Sequence, residues 1–398
     1  MTEIKGHCDP AFESVRELLL ERFNSGDELG ASLCINIDGK NVLDLWGGFA
    51  DEARTRPWEQ DTVTGVWSSS KVITCLAVNI LADRGLLDVN EKVSTYWPEF
   101  AANGKENVKV SHILSHTSGV PAWAPGITLE EVLDVEGATK KLAELAPMWT
   151  PGELSGYHLV SQGHLLGEIV RRVSGKSLTQ FIADEIAGPL DADYHLGLPE
   201  KDWPRAAELI PPTSGPMPKV DPTSIVARAF AGTPMGEAFA KAPNTSPMGE
   251  AFAKAPNTSE FRKQELGAIG GFTNGRGLAR IGAMVSCNGT LDGKKIMSPE
   301  TISNMLQEQV AGTDAVLMTD LRFGLGVGLP NPETFPAIPE GNICYWGGWG
   351  GSLILMDLDR RMTIGYVMNK MHPTVVGSEK TTHQYIKAIY SAVDQAKL

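Results

Sequence analysis

Apolar residues form regular patterns near the amino-terminal end of the chain, and these patterns predict a helix followed by a hairpin. Apolar positions recur at helical spacing over residues 10–24. Two nearly continuous apolar runs, residues 31–37 and 40–46, flank the dipeptide Asp38-Gly39. Such a pair between apolar runs is typical of a tight hairpin turn, and strands without polar alternation are covered on both faces. We expect this hairpin to lie at the edge of a covered antiparallel sheet.

Strand patterns return near the carboxyl-terminal end, while the middle of the chain is mainly helical. Strands are predicted over residues 323–329, 343–346, 352–357 and 363–368, and a closing helix over residues 383–396. Helical segments are predicted between the two ends, over residues 68–84, within 110–121, and over 129–145, 162–173, 177–187 and 276–287. The expected fold class is therefore α+β, an antiparallel sheet flanked by helices with an all-α inserted domain.

The expected domains follow from this division. Residues 1–68 together with 268–398 are predicted to form the sheet domain, and residues 69–267 a mainly helical domain, with an active site at their interface. The helical part contains an identical tandem repeat of 13 residues, at 234–246 and 247–259. Two short copies are too few for a solenoid. We expect a surface excursion that is either mobile or shapes one rim of a cleft.

The charge balance excludes several classes of partner. The formal net charge is −13 and the sequence pI is near 5.2, which argues against nucleic acid and against an anionic membrane surface. Five cysteines without a C-x-x-C pair disfavour a disulfide framework or a zinc site. No signal-peptide core and no long apolar run is visible, so a cytoplasmic protein without a membrane span is expected. The sequence leaves the oligomeric state open.

A serine and a lysine lie three positions apart where a polar run turns into an apolar helix, at Ser68 and Lys71. Residues at this spacing share a helix face, with Cβ atoms about 5–6 Å apart. A hydroxyl needs an adjacent base to act as a nucleophile, and a lysine can be that base when burial disfavours its charged form. Ser68 is thus a candidate nucleophile and Lys71 a candidate base. The alternative is a helix start with an exposed lysine, since about one such pair is expected by chance.

Two further segments carry candidate chemistry. Tyr157 lies in a loop that enters a helix, where its hydroxyl can relay a proton, although a half-buried tyrosine is the commoner outcome. The run Trp346-Gly347-Gly348-Trp349 lies at an apolar strand. Glycines in such a place mark a close approach by backbone or ligand, and exposed N–H groups can form an oxyanion hole. The alternative is a glycine-rich hairpin end.

Other motifs give little support for cofactor chemistry. His112 and His116 are four residues apart, but no Glu completes a His-Glu-x-x-His motif and no third ligand is evident, so structural hydrogen bonds at a turn are expected instead. The glycines in residues 323–328 lie in a predicted strand without the helix that a dinucleotide site requires. No Gly-x-Ser-x-Gly nucleophile elbow occurs. Neither a metal nor a cofactor is expected.

Taken together, the chemistry-bearing residues resemble the active-site set of a known superfamily. Ser68-x-x-Lys71, then Tyr157, then residues 346–348 occur in the order found in serine β-lactamases and penicillin-binding proteins. Within that superfamily, the chain is most similar to the class C β-lactamase-like hydrolases and the family VIII carboxylesterases. The resemblance runs from about residue 10 to 390, apart from the duplicated segment. It implies a β-lactamase-like fold.

The resemblance also implies roles for the candidate residues. Ser68 would attack the acyl carbon, while Lys71 and Tyr157 would share the general acid and base work. The N–H groups of Ser68 and Trp349 would hold the oxyanion, and residues 346–348 would line the substrate site. Which of Lys71 and Tyr157 takes the first proton stays open.

Two departures from the β-lactamase pattern point to esters. Trp346 occupies the place of the lysine in the Lys-Thr-Gly motif, so the cation that holds a β-lactam carboxylate is missing, a contact worth about 1.5–3 kcal/mol. Leu159 occupies the place of an asparagine that would contact a substrate amide. Family VIII carboxylesterases share the first substitution. Both changes favour neutral esters over charged amides.

The sequence therefore predicts a serine carboxylesterase that hydrolyses small short-chain esters through an acyl-serine intermediate. Its expected partner is a small-molecule ester. One alternative is an acyltransferase on the same scaffold, and another is a weak β-lactamase or D-amino peptidase. A catalytically silent binding protein is a different class of alternative, and the intact set of Ser68, Lys71 and Tyr157 argues against it.

Overall fold

Strands cluster at the two ends of the chain and helices fill the middle. The computed structural model describes residues 3–212, 221–236, 250–374 and 378–397, and all elements named here lie in these ranges. The strands are β1 (Ile4–Cys8), β2 (Gly30–Ile37), β3 (Lys40–Gly48), β4 (Thr64–Gly65), β5 (Tyr194–Leu196), β6 (Gly271–Thr273), β7 (Thr290–Leu291), β8 (Lys294–Lys295), β9 (Val310–Thr313), β10 (Asp320–Phe323), β11 (Ile343–Gly347), β12 (Leu353–Asp357) and β13 (Met362–Met368).

The helices vary from single turns to four turns. They are α1 (Glu13–Ser25), α2 (Ser70–Asp83), α3 (Val93–Tyr96), α4 (Val110–Leu114), α5 (Leu129–Leu133), α6 (Val135–Glu144), α7 (Ser161–Ser174), α8 (Leu178–Ile182), α9 (Gly188–Leu190), α10 (Ile225–Ala231), α11 (Glu250–Ala253), α12 (Ser259–Arg262), α13 (Gly275–Ser286), α14 (Pro299–Met305) and α15 (Thr382–Ala396). Among the described residues, no helix combines the length and the apolar character needed to cross a bilayer.

Six strands form one antiparallel sheet in the order β1-β3-β2-β13-β12-β11. Strands from both ends of the chain meet at its centre, where Cys34 of β2 lies opposite Gly365 of β13. The predicted α+β class, an antiparallel sheet flanked by helices, is confirmed. The predicted edge position of the hairpin is wrong, because β1 covers one side of it, with Ile4 opposite Gly47. The residues of β1 form no apolar run, so the sequence does not predict this strand.

Helices cover both faces of this sheet. A Cβ atom on Gly365 would lie 2.2 Å from the carbonyl oxygen of Gly275, and one on Gly282 would lie 2.5 Å from Thr363 Cγ2, so glycines let α13 pack directly on β13. The next residue of β13 points to the opposite face. There the ring centre of Tyr366 lies 5.1 Å from that of Tyr385 in α15. Two covered faces explain why the strands are almost continuously apolar.

Helix α2 lies between the helical region and the sheet. Every residue from Ser70 to Leu81 is buried, because α2 packs against α7 and α8 on one side and also contacts β11. A helix that is apolar around its whole circumference belongs in a core. The boundaries proposed above for the two domains stay a prediction.

Two predicted elements differ from the structure. The helix expected over residues 129–145 is interrupted at Asp134, whose carboxylate accepts a hydrogen bond of 3.2 Å from the N–H of Gly137 and caps α6. The strand expected over residues 323–329 ends at Phe323. Beyond it the backbone turns at Gly326, which has a φ of +89°.

The duplicated segment is described only in part, since residues 237–249 lie outside the described residues. In the second copy, α11 is followed by Asn257, whose side-chain amide forms two hydrogen bonds with the backbone of Leu209. Its Nδ2 donates to the Leu209 carbonyl and its Oδ1 accepts from the Leu209 N–H, each at 2.9 Å. The expected surface excursion stays a prediction.

A buried carboxyl group behind the sheet predicts a pH-dependent stability. Glu28 is 2% exposed and accepts hydrogen bonds from the hydroxyls of Tyr366 and Tyr385, and burial raises its pKa to about 8. At pH values between the ordinary carboxyl pKa and about 8, Glu28 is therefore protonated in the folded protein and ionised in the unfolded chain. Stability must fall as the pH rises through this window.

We predict that Glu28→Gln, whose side chain stays neutral, reduces this fall by on the order of 4 kcal/mol. Urea unfolding of the wild type and the variant at pH 5 and at pH 8.5 measures it. An equal loss of unfolding free energy in both proteins would show that Glu28 does not carry the pH dependence.

Candidate active site

Ser68 lies in a strained turn ahead of a helix. Residues Trp67–Ser69 form a single 3-10 turn and α2 begins at Ser70, so Ser68 precedes the α-helix that was predicted to start with it. Trp67 has a φ of +47°, in the left-handed region that a bulky residue rarely adopts. Ser70 holds the turn, because its Oγ donates to the carbonyl of Trp67 and accepts from the N–H of Gly271 at 2.9 Å. Strain of this kind is found where a side chain must be presented to a ligand.

Lys71 is buried among oxygen atoms. Its Nζ lies 3.1 Å from Ser68 Oγ, 2.8 Å from the carbonyl oxygen of Leu159 and 3.2 Å from that of Ala268. The residue is 2% exposed, and no described carboxylate forms an ion pair with it. Burial lowers the pKa of Lys71 to about 7. The amine can therefore gain or lose a proton near neutral pH.

Tyr157 brings its phenol to the same place from a remote segment. The side chain is fully buried, and Trp346 Nε1 donates a hydrogen bond of 2.7 Å to the Tyr157 oxygen. Lys71 Nζ lies 4.8 Å from the centre of the Tyr157 ring. Burial raises the pKa of Tyr157, while hydrogen bonding with Ser68 and Trp346 acts in the opposite direction. Tyr157 is accordingly a neutral phenol.

The glycine-rich segment is attached to the turn that carries Ser68. A Cβ atom on Gly348 would lie 2.1 Å from the carbonyl oxygen of Val66, so only glycine allows this approach. Ser352 Oγ donates to the same carbonyl at 2.8 Å. Within the described residues, the N–H groups of Ser68 and Trp349 donate to no protein acceptor. Two free donors thus lie in the two segments that meet beside the hydroxyl.

Sequence reasoning missed the residue that holds the Tyr157 loop. Asp314 is fully buried, and its Oδ1 accepts from the N–H groups of Tyr157 at 3.0 Å, Val316 at 2.9 Å and Leu317 at 2.8 Å, while Oδ2 accepts from the Ser155 hydroxyl. No local motif marks Asp314, because Ser155 and Tyr157 become its neighbours only in the folded chain.

Histidines pack behind Tyr157 and stay neutral. The ring of His116 lies 4.5 Å from the Tyr157 ring, and its Nδ1 accepts from the N–H of His158 at 3.1 Å. Burial lowers the pKa of His116 well below its usual value and that of His158 to about 3. His112 instead accepts from the N–H of Lys109 at 3.2 Å. The two histidines considered as a metal pair thus have separate partners, and the described part of the chain holds no metal-binding cluster of acidic, His or Cys side chains.

Comparisons with known proteins show the family and the fold of the chain. Residues 15–388 match the family model described as Beta-lactamase. The chain is 30% identical over 396 residues to "Esterase/beta-lactamase LipL" of Mycobacterium tuberculosis. The alignment covers 98% of this chain and 88% of the relative. A crystal structure of a family VIII carboxylesterase superposes with a TM-score of 0.87 at 34% identity, covering 98% of this chain and 100% of the other. The crystal structure of a penicillin-binding protein homologue from Caulobacter crescentus superposes with a TM-score of 0.86 at 34% identity, and the alignment covers 98% of this chain and 100% of the other. The predicted resemblance is confirmed.

The position of Asp314 generates a prediction. Asp314→Ala leaves three N–H groups without an acceptor, and those of Tyr157 and Val316 are buried. Each buried group costs about 1–3 kcal/mol, so we expect the free energy of unfolding to fall by at least about 2 kcal/mol and the activity to fall with it. Asp314→Asn keeps an acceptor oxygen, so its free energy of unfolding should fall by less. Urea unfolding of both variants measures the difference, and an equally small loss in the two would contradict the assigned role.

Proposed function

The chain belongs to the β-lactamase family of serine hydrolases, and from that premise we propose that it is a carboxylesterase that cleaves small, neutral, short-chain esters through an acyl-serine intermediate. The proposed nucleophile is Ser68, the base is Lys71 and the acid is Tyr157. The N–H groups of Ser68 and Trp349 are the proposed oxyanion hole. Trp346, Gly347 and Gly348 line the substrate site in this proposal.

The observation that carries the proposal is the arrangement of oxygen atoms around Lys71. A protonated amine has three N–H donors, which suit Ser68 Oγ and the two carbonyls of Leu159 and Ala268. A neutral amine has two donors, which suit the carbonyls, and a lone pair that faces Ser68. Both protonation states are satisfied without movement. This supports Lys71 as the base that takes the first proton.

The proposed reaction proceeds in two halves. Ser68 Oγ forms a bond to the ester carbon, its proton passes to Lys71, and the carbonyl electron pair becomes an oxyanion held by two N–H groups. The C–O bond to the alcohol then breaks, and the proton returns through Tyr157 to the departing oxygen. Water repeats the sequence on the acyl-serine, releasing the acid and restoring Ser68. No other reactant is required.

Two side chains support a neutral substrate. Trp346 occupies the place of a lysine in β-lactamases. Its indole N–H donates a hydrogen bond to the Tyr157 oxygen, and its side chain carries no positive charge. Leu159 contributes its carbonyl to Lys71, while its side chain packs against the hydrophobic core. A substrate carboxylate would find no charge partner at either position. Esters without a charge near the reacting carbon fit best.

A second candidate activity is β-lactam hydrolysis, which the name of the Mycobacterium tuberculosis relative favours. The acyltransferase alternative differs only in the second nucleophile, an alcohol in place of water. Both alternatives use the same acyl-serine, so one substrate panel separates them. It contains a p-nitrophenyl ester, the same ester with a long-chain alcohol, and a chromogenic cephalosporin.

We predict that wild-type protein hydrolyses p-nitrophenyl butyrate and that Ser68→Ala lowers kcat by at least about a thousandfold, because the acyl-serine cannot form. Mass spectrometry after a fluorophosphonate probe should find the label on Ser68. Ser69→Ala is the matched control and should still be labelled there, since the Ser69 hydroxyl lies 3.0 Å from that of Ser352 instead. Full activity in Ser68→Ala would refute the assignment of the nucleophile.

We also predict a pH profile set by Lys71. The base must be neutral, so kcat/KM should fall about tenfold per pH unit below a midpoint near the Lys71 pKa of about 7. Lys71→Met should lower kcat by about a hundredfold to ten-thousandfold, whereas the exposed Lys140→Met should not change it. A rate that does not change between pH 5 and pH 8 would count against a lysine base.

A further inference from the structure

Three aromatic rings contact that of Trp67, which lies in the turn that carries Ser68. The ring centre of Trp67 lies 5.3 Å from Phe252, 5.2 Å from Trp349 and 6.1 Å from Phe261. The rings of Phe252 and Trp349 are stacked, with centres 6.4 Å apart and planes inclined by 23°. We call Trp67, Phe252, Phe261 and Trp349 the aromatic wall. Its members come from three separate segments of the chain.

The aromatic wall and the proton-transfer groups form separate clusters. The Tyr157 ring contacts His116, Phe323 and Trp346, and within the described residues it contacts no ring of the wall. In the proposed reaction the departing alcohol oxygen must lie beside Tyr157 to receive a proton. The other substituent of the ester carbon, the acyl chain, leaves the carbon in a different direction. The wall is adjacent to the same carbon in this proposal, because it includes Trp349, whose N–H belongs to the proposed oxyanion hole.

The wall has one ring that a ligand can reach. Trp349 is partly exposed, whereas Phe252 is 5% exposed and Trp67 is 2% exposed. Phe252 therefore stands behind the accessible ring and limits how far Trp349 can move. Rings without an ionised group favour an apolar acyl chain, and a stacked pair also adds rigidity.

Phe252 comes from the second copy of the 13-residue duplication. That copy is held to the rest of the protein by Asn257, through its two hydrogen bonds to the Leu209 backbone. Pro256 packs against Gly65, which lies two residues before Trp67 in the sequence. A Cβ atom on Gly65 would lie 3.3 Å from the Pro256 Cβ. The Thr258 hydroxyl accepts from the N–H of Phe261 and caps α12. The copy thus docks onto the segment that leads into Ser68.

We propose that Phe252, supplied by the second copy of the duplication, determines the acyl-chain preference of the enzyme by forming the back of a subsite whose accessible face is Trp349. The subsite takes a short apolar acyl chain, and the bulk of Phe252 excludes longer ones. This inference rests on the proposed function, because it assigns the acyl chain of the same ester.

The test compares acyl-chain preference in matched variants. We expect Phe252→Ala to raise the ratio of kcat/KM for p-nitrophenyl octanoate to that for the acetate by about tenfold, and Phe252→Leu to raise it less. Phe239 occupies the same place in the identical first copy, so Phe239→Ala is the control and should leave the ratio within about twofold of wild type. Should Phe252→Ala fail to fold, Phe252→Leu decides.

Two outcomes would overturn the inference. One is an unchanged ratio in a folded Phe252→Ala or Phe252→Leu. The other is a change in preference among acetate esters of different alcohols, which would place the alcohol against the wall. A change with Phe239→Ala instead of Phe252→Ala would likewise refute the assignment.

A covalent probe separates this inference from the proposed function. Alkylphosphonofluoridates of increasing chain length bind Ser68 with the alkyl group in the acyl position and fluoride leaving, without any hydrolytic turnover. We expect Phe252→Ala to increase the labelling rate for the octyl relative to the methyl probe by about tenfold. If wild type labels at Ser68 but hydrolyses no ester, the proposed function fails while this comparison still decides the role of Phe252.

Discussion

The site depends on a buried amine that has no opposite charge beside it. An ammonium group leaves water only at a large free-energy cost, and a nearby carboxylate would offset that cost and keep the proton in place. Lys71 has instead two backbone carbonyls and a hydroxyl, and no described acidic side chain forms an ion pair with it. Burial therefore decides its protonation, and an amine that is neutral near pH 7 suits the role of base proposed for Lys71 beside the Ser68 hydroxyl.

The fold creates this environment by joining the ends of the chain. Pairing of β2 with β13 brings β11 to the turn before Ser68, so that the glycine-rich segment and the helix α2 meet. The carbonyls that contact Lys71 belong to Leu159 and Ala268, from two other parts of the chain. Because four segments must meet before Lys71 is buried, its altered pKa is a property of the folded state alone.

Part of this arrangement could be predicted from the sequence. The spacing of Ser68 and Lys71 predicts their contact because it depends on local helix geometry. Five of the six strands of the sheet follow from apolar runs in the sequence. The strand β1 was missed, since its residues, Ile4–Cys8, include Lys5, Gly6 and His7 and give no apolar run.

The remaining features depend on tertiary contacts, which leave no local pattern. Backbone carbonyls such as that of Ala268 are present at every residue, so sequence cannot show which ones face an amine. The same holds for Asp314, whose partner Tyr157 is 157 residues away. The left-handed conformation of Trp67 also runs against its residue type and is imposed by its surroundings. The roles of such residues can be identified only in the folded structure.

The protonation of Lys71 can be observed directly by NMR of protein carrying 13C at the lysine ε-carbons, with Lys71→Arg used to assign the signal. We expect one lysine resonance to titrate with a midpoint near 7, far below the ordinary lysine value of 10.5. A Lys71 resonance that keeps its charged position up to about pH 10 would contradict the account, because the amine would then be unable to accept the serine proton.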